Sequence, residues 1–355
     1  MSKRHTRWLL AIVLMSACGG SSNTGVGDVA GTGGGTRTDA GPDAPASTAA
    51  DAGDATSSGD DASGPPSDGG REDAPTDAKT DARGGGGGDA SALEPVKMGV
   101  DANGESQFVS ATGLTSEVLR QYLKGGDSIP TSVAAANLDT FYAAGKSVVY
   151  SIKADQSPDS QAVNIANLTA LAKDITAKGF ASKTWIALHH EPYPELTGAA
   201  FQTMYATYAP AVRGAGVRCG VIYQSYPLYH GEPNYASDYT SGILAQVDFI
   251  GIDVYPGSTP GGYGTDILSV ISPFTKYAEQ NGKRYQIDEV AVDSSLTGTA
   301  QQQAAWLGGL AKLDGNVEVV MYYEGAAGSY ANLKIENDPD AVTTWKTLYQ
   351  TLTTR

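Results

Sequence analysis

The chain has 355 residues, with 24 Lys and Arg against 39 Asp and Glu, a net charge of −15, and two cysteines. An acidic chain without basic clusters argues against nucleic acid and anionic polysaccharide as ligands and favours a neutral one. Two cysteines, Cys18 in the leader and Cys219 in an apolar run, exclude a disulfide framework and a cysteine-based metal site.

The chain opens with Lys3, Arg4 and Arg7 ahead of a short apolar run, Trp8 to Met15. The run is too short to span a bilayer and has the shape of a signal peptide. It ends Met15-Ser16-Ala17-Cys18, which resembles a bacterial lipobox with Cys18 as the lipidated residue, although Met15 stands where Leu is usual. The alternative is ordinary cleavage near Ala17. Gly19 brings no Asp retention signal. The expectation is an exported protein, anchored to the outer membrane or cell surface by its N-terminal lipid alone, or secreted.

From Gly19 to Pro95 the sequence is almost entirely Gly, Ala, Asp, Ser, Thr and Pro. It has no aromatic residue and, before Leu93, only Val26 and Val29 as aliphatics larger than Ala. Such a segment buries too little apolar surface to offset its ordering entropy and is expected to be a disordered tether. Stretched, it reaches on the order of 250 Å; as a flexible coil it spans about 50 Å. It carries 14 acidic and 4 basic residues, and the first 18 residues add three basic ones, which leaves the remainder at −8.

The remainder, 96–355, has the size of one (β/α)₈ barrel. Apolar runs at 97–101, 118–123, 147–152, 184–189, 217–223, 247–252, 284–288 and 318–323 read as eight strands. Arg120, Gln121 and Lys124 interrupt the second. Helical spacing lies between them, as in Val163, Ala166, Leu168, Leu171, Ala172 and Ile175, and again in Ala304, Ala305, Leu307 and Leu310. Gly145, Gly179, Gly214, Gly282 and Gly315 stand where helices should stop. The predicted fold class is α/β, a TIM barrel preceded by a disordered low-complexity linker.

Side-chain alternation then assigns faces. In the sixth run Phe249, Gly251, Asp253 and Tyr255 share the face expected toward the barrel axis, while Ile250, Ile252 and Val254 face the helices. By the same alternation Asp288 should point toward the helices and Glu289 into the barrel. Polar residues gather at the C-terminal strand ends, where active sites of this architecture lie. They are His189-His190-Glu191-Pro192-Tyr193, Asp253-Val254-Tyr255, Asp288-Glu289 and Tyr322-Tyr323-Glu324.

A Glu closing strand 4 and a second closing strand 7 resembles the pattern of the clan A glycoside hydrolases. His190 before the first Glu, with Asp253-x-Tyr255 at strand 6, is similar to glycoside hydrolase family 26. The resemblance implies a retaining endo-β-glycosidase of a neutral polysaccharide, with β-1,4-mannan first and β-1,3-xylan or a β-glucan next. It makes Glu191 the acid/base and Glu289 the nucleophile. His190 would contact substrate or Glu191, Tyr255 would bond Glu289, and Asp253 would support the sugar site. The family commonly places a Trp at the end of strand 8; here the chain reads Met321-Tyr322-Tyr323-Glu324, which puts mannan specificity in question and leaves Glu324 a candidate for the cleft.

Other residues carry two readings. His189, Tyr193, Tyr223, Tyr322 and Tyr323 are candidate substrate contacts, because amphipathic rings stack on sugars; the bland reading is packing or a buried histidine. Tyr226, Tyr229, Tyr255 and Tyr263 also fall near strand ends. His230 lines a subsite or is a solvated loop residue. Glu195 is a rim residue, and Cys219, Trp185, Trp306 and Trp345 are core. The histidine spacing is wrong for a zinc helix, so neither metal nor other cofactor is expected, and a monomer is the default. A surface carbohydrate-binding protein and a transglycosylase are the competing functions.

Overall fold

The computed structural model describes residues 95–123, 126–153, 157–229, 242–259, 261–325 and 328–355. Cys18, the tether before Pro95, and His230 lie outside them. Among the described residues, parallel strands close into a barrel in sequence order. They are β1 (Lys97–Asp101), β2 (Val118–Leu123), β3 (Ser147–Ile152), β4 (Thr184–Leu188), β5 (Arg218–Gln224), β6 (Phe249–Val254), β7 (Arg284–Val290) and β8 (Val317–Tyr322). The helices between and after them are α1 (Glu105–Thr112), α2 (Asp139–Ala143), α3 (Pro158–Ala177), α4 (Gly198–Arg213), the short α5 (Tyr226–Tyr229), α6 (Ile267–Gln280), α7 (Ala300–Gly308) and α8 (Pro339–Thr353). This is the (β/α)₈ barrel the apolar runs predict. Val96 N donates to Leu352 O of α8, so the last helix ties the entry of β1.

Local chemistry sets the helix ends. Thr299 and Gln302 form a reciprocal capping box at α7, and Asp338 accepts from Asp340 N and Ala341 N ahead of Pro339 at α8. Each such cap is worth about 1 kcal/mol. Helix α3 buries Leu168, Leu171, Ala172 and Ile175, the spacing of one face. Gly179, with φ 77°, makes the left-handed turn after α3, whereas after α4 that turn falls to Gly216 rather than to Gly214.

Two apolar cores follow from strand alternation. Val118, Val149, Trp185, Ala187, Ile222, Phe249, Val319 and Met321 fill the barrel interior. Val100, Leu119, Val148, Ile186, Val221, Ile250 and Ile287 join the larger shell between strands and helices. The first and last helices close this shell through an aromatic cluster of Phe108, Tyr322 and Trp345, with ring centroids 5.3 to 5.9 Å apart. Trp185 is interior, with Nε1 donating to Glu318 at 3.0 Å, and Cys219, Trp306 and Trp345 are buried.

Three details depart from the sequence reading. Strand β6 starts two residues late, because Val247 ends a 3₁₀ turn and the Asp248 carboxylate accepts from Cys219 N instead. The interruptions in β2 do not break it: Val118 through Leu123 pair in unbroken register with Ser147 through Ile152. Most consequential, β7 carries an extra residue against β6. Ile252 pairs with Ile287, but Asp253 pairs with Glu289, so Asp288 is bulged.

Candidate active site

The site is built at the C-terminal mouth. Leaving β4, the backbone passes through left-handed conformations at His189 (φ 55°) and Glu191 (φ 51°). Such conformations cost non-glycine residues on the order of 1–3 kcal/mol each and persist where surroundings over-determine them. Here His189 N donates to Ile152 O of β3, and Glu191 N to Ile222 O of β5 at 3.0 Å. The kink is thus pinned on both sides, and it presents Glu191 to the mouth. One carboxylate oxygen from each of Glu191, Asp253 and Glu289 lies within 4.8 Å of the others.

Glu289 is gripped by three donors. Tyr122 Oη donates to Oε1 at 2.5 Å, Arg120 Nη1 lies 2.9 Å from Oε1, and Tyr255 Oη donates to Oε2. The guanidinium of Arg120 has no solvent exposure. Its Nε donates to Ser151 at 3.0 Å, and Nη1 and Nη2 donate to the two oxygens of Asp253 at 2.7 and 3.2 Å. It also lies over the Tyr122 ring, 4.9 Å from the centroid. Asp253 and Glu289 therefore spend their oxygens on a guanidinium and two phenols, and the cluster is an ion-pair site rather than a cation cage.

The facing group differs. Burial pushes the Glu191 carboxyl up to about 7, and the charge of Glu289 adds to the rise against Lys153 and Arg120. His190 beside it is held well below the usual imidazole range, first by burial and then by Lys153, Arg120 and His189, so it is neutral. Its ring stands edge-on to Tyr122 at 5.5 Å. Tyr323 is half-buried at the mouth, with its ring perpendicular to Tyr255 at 6.1 Å. Tyr193 is half-buried beyond β4, its N and O both bonded to the Gln224 side chain. On the rim Glu195 bridges Lys153 (2.7 Å) and His189 (3.0 Å).

Several expectations are corrected. Tyr223 faces outward against Phe201 and Phe274, buried to 1%, because it lies on the helix-facing parity of β5. Tyr322 faces outward too, its Oη donating to Leu333 O and accepting from Val292 N. Tyr263 is committed to the backbone of Asp293 and packs edge-on to Trp306. His189 is buried and reaches Glu195 rather than the cleft. Asp253 does face the axis, where its buried carboxylate is bonded to both terminal nitrogens of Arg120. Glu324 is fully buried and accepts from Ile335 N at 3.1 Å, and its own N donates to Asp101 at 2.6 Å. Asp288 points inward, not toward the helices: it continues the alternation of Gln286, the bulge brings Glu289 onto the same face, and the Asp288 carboxylate occupies the space a Cβ on Gly251 would need.

Arg120, Tyr122 and Lys153 escaped the sequence reading. The available signal was parity: Val118, Arg120 and Tyr122 alternate onto the interior face of β2, and a buried arginine there requires anions to meet it.

No protein-family profile matches the sequence, and no curated protein does. Solved structures do match. An endo-β-1,4-mannanase from Thermotoga petrophila is similar over 74% of this chain and 78% of its own, at 11% identity and a TM-score of 0.53. A double mutant of the Cellulomonas fimi endo-β-1,4-mannanase is similar over 72% and 70%, at 14% identity and a TM-score of 0.52. The endo-β-1,4-glucanase of Xanthomonas axonopodis pv. citri is similar over 73% and 99%, at 13% identity and a TM-score of 0.52. At these identities the likeness is one of fold.

Proposed function

We propose that the chain is a retaining endo-β-glycosidase of a neutral polysaccharide, with β-1,4-mannan as the first substrate to test and β-1,3-xylan or a β-glucan next. The observation that carries this is the pair Glu191 and Glu289, facing each other within 4.8 Å, one holding its proton to about pH 7 and the other gripped by Arg120, Tyr122 and Tyr255. Inverting glycosidases separate their carboxyls by about 6.5–9.5 Å to admit a water, whereas retaining ones bring them to about 5–5.5 Å. The solved structures of similar fold named above are two endo-β-1,4-mannanases and an endo-β-1,4-glucanase, which supports the same bond class.

In this reading Glu191 gives its proton to the departing glycosidic oxygen as Glu289 attacks the anomeric carbon. The glycosyl ester on Glu289 is then resolved by a water that Glu191 deprotonates. Tyr255 and Tyr122 orient the nucleophile, neutral His190 contacts a sugar hydroxyl, and Tyr323 and Tyr193 line the mouth as stacking surfaces. The test is reducing-sugar release from a panel of neutral β-glycans, with Glu289→Ala as the control and the anomer of the first product read by NMR. Release of the retained anomer, absent in the control, supports the reading. Binding without release favours a carbohydrate-binding protein, and products longer than the substrate favour a transglycosylase. Export as a Cys18-linked lipoprotein is part of the proposal; loss of metabolic palmitate labelling in Cys18→Ser tests it.

A further inference from the structure

Asp288 is a second carboxyl beneath Glu289, and the β7 bulge puts both on the interior face. It is 1% exposed, and neither of its oxygens has a hydrogen-bond partner among the described residues. Its place is shaped for it. A Cβ on Gly251 of β6 would stand 1.8 Å from Asp288 Oδ2 and 2.9 Å from Ile222 of β5, so glycine is required where the carboxyl lies. The groups bearing on it are Arg120 from β2, Glu289 beside it, and Glu318 from β8, with Asp253 of β6 on the same guanidinium. One residue pair below on the interior face of β7, Gln286 gives its amide N–H to Glu318 and leaves its Oε1 unpartnered. The surroundings thus offer acceptors and a guanidinium whose N–H groups already serve Ser151, Asp253 and Glu289.

We propose that Asp288 is a positioning residue for Glu289, kept as a neutral acid so that Arg120 stays committed to Glu289 and Asp253. The inference rests on the glycosidase reading of Glu289. An ionised Asp288 would be a further anion competing for the one guanidinium that already serves Ser151, Asp253 and Glu289; a neutral one would not. Burial pushes its carboxyl up to about 7, with Arg120 opposing and Glu289 and Glu318 adding to the rise. As pH rises past that point, the new charge draws Arg120 away and Glu289 loses part of its hold.

The test uses the full chain with ¹³C-labelled side-chain carboxyls, wild type beside Asp288→Asn, and Glu289→Gln to identify the Glu289 signal. The expected result is that Asp288 titrates near neutrality and that the Glu289 signal shifts at the same pH in wild type but not in Asp288→Asn. The alkaline limb of kcat/KM should be steeper than first order in proton concentration in wild type and first order in Asp288→Asn. An Asp288 already ionised in mildly acidic buffer, or a Glu289 signal indifferent to its titration, overturns the proposal. If Asp288→Asn does not fold, Asp288→Ser serves in its place. Should no glycan be cleaved, the glycosidase reading fails by itself, while the coupling between the two carboxyls is still decided by the NMR titration.

Discussion

Arg120 Nη1 lies 2.9 Å from Glu289 Oε1 and 2.7 Å from Asp253 Oδ1, so one guanidinium on β2 joins carboxylates from β6 and β7 across the barrel interior. Removing it would leave two buried acids facing each other. Arg120→Ala should destabilise the fold by about 3–5 kcal/mol, measured by denaturant unfolding. Arg120→Lys keeps the charge but not the planar fork, and should lower kcat on the order of 100-fold through misplacement of Glu289. A lysine variant with unchanged kcat would show that the fork is dispensable.

The two glutamates should separate in kinetics. Glu289→Ala is expected to lose turnover by about 10⁴-fold or more on every substrate. Glu191→Ala should lose as much on a polysaccharide, yet far less on an aryl glycoside whose leaving group needs no proton. Equal losses on both substrates in the Glu191 variant would remove it from the acid role.

Activity should fall as pH rises above about 7, where Glu191 gives up the proton it donates. The kcat/KM profile checks this, and in Glu191→Gln the limb assigned to that proton should disappear. An alkaline limb that persists unchanged in the variant would place the ionisation elsewhere.

Stability should follow pH in the same direction. Unfolded carboxyls ionise near their ordinary values of 3.8 and 4.5, whereas the folded chain holds Asp101, Glu191 and Asp288 protonated to about 7 and Glu324 to about 9. Burial is the leading cause in each, and at Glu324 a hydrogen bond shared with Glu336 follows. Between those values the folded state binds more protons than the unfolded one, so stability is lost as pH rises. Thermal unfolding should show a higher Tm in mildly acidic than in mildly alkaline buffer. Glu324→Gln should flatten the decline; a decline of undiminished slope would exclude Glu324 as a source.

The tyrosines at the end of β8 provide an internal control. Tyr323→Ala removes a ring at the mouth and should raise KM about tenfold. Tyr322→Phe removes a buried hydroxyl bonded to Leu333 O and Val292 N, and should cost about 1–2 kcal/mol of stability without moving KM.

Much of the site was legible because strand ends converge in this architecture wherever the strands begin. Glu191, Asp253, Tyr255 and Glu289 sit at three such ends, those of β4, β6 and β7, and alternation along β6 placed Phe249 and Asp253 inward as observed. Tyr223 and Tyr322 were misread because nearness to a strand end says nothing about face. Asp288 was misread because its face was counted back from Glu289 across the bulge; counted forward from Gln286 it lies inward.

By itself the amino-acid sequence determined the eight-fold alternation of strands and helices and the chain positions of two mouth glutamates. Apolar periodicity and glycine stops are local properties, readable one segment at a time. Tyr255 apart, which groups meet Glu289 was decided by tertiary structure. Arg120, Tyr122 and Tyr255 reach it only after barrel closure brings β2 opposite β6 and β7. Asp288 and Glu289 share the interior face only once β7 has paired with β6 one residue out of step, the Asp288 carboxyl lying in a space that Gly251 leaves open. Register is a relation between strands, fixed by packing on both faces at once, and no single strand carries it.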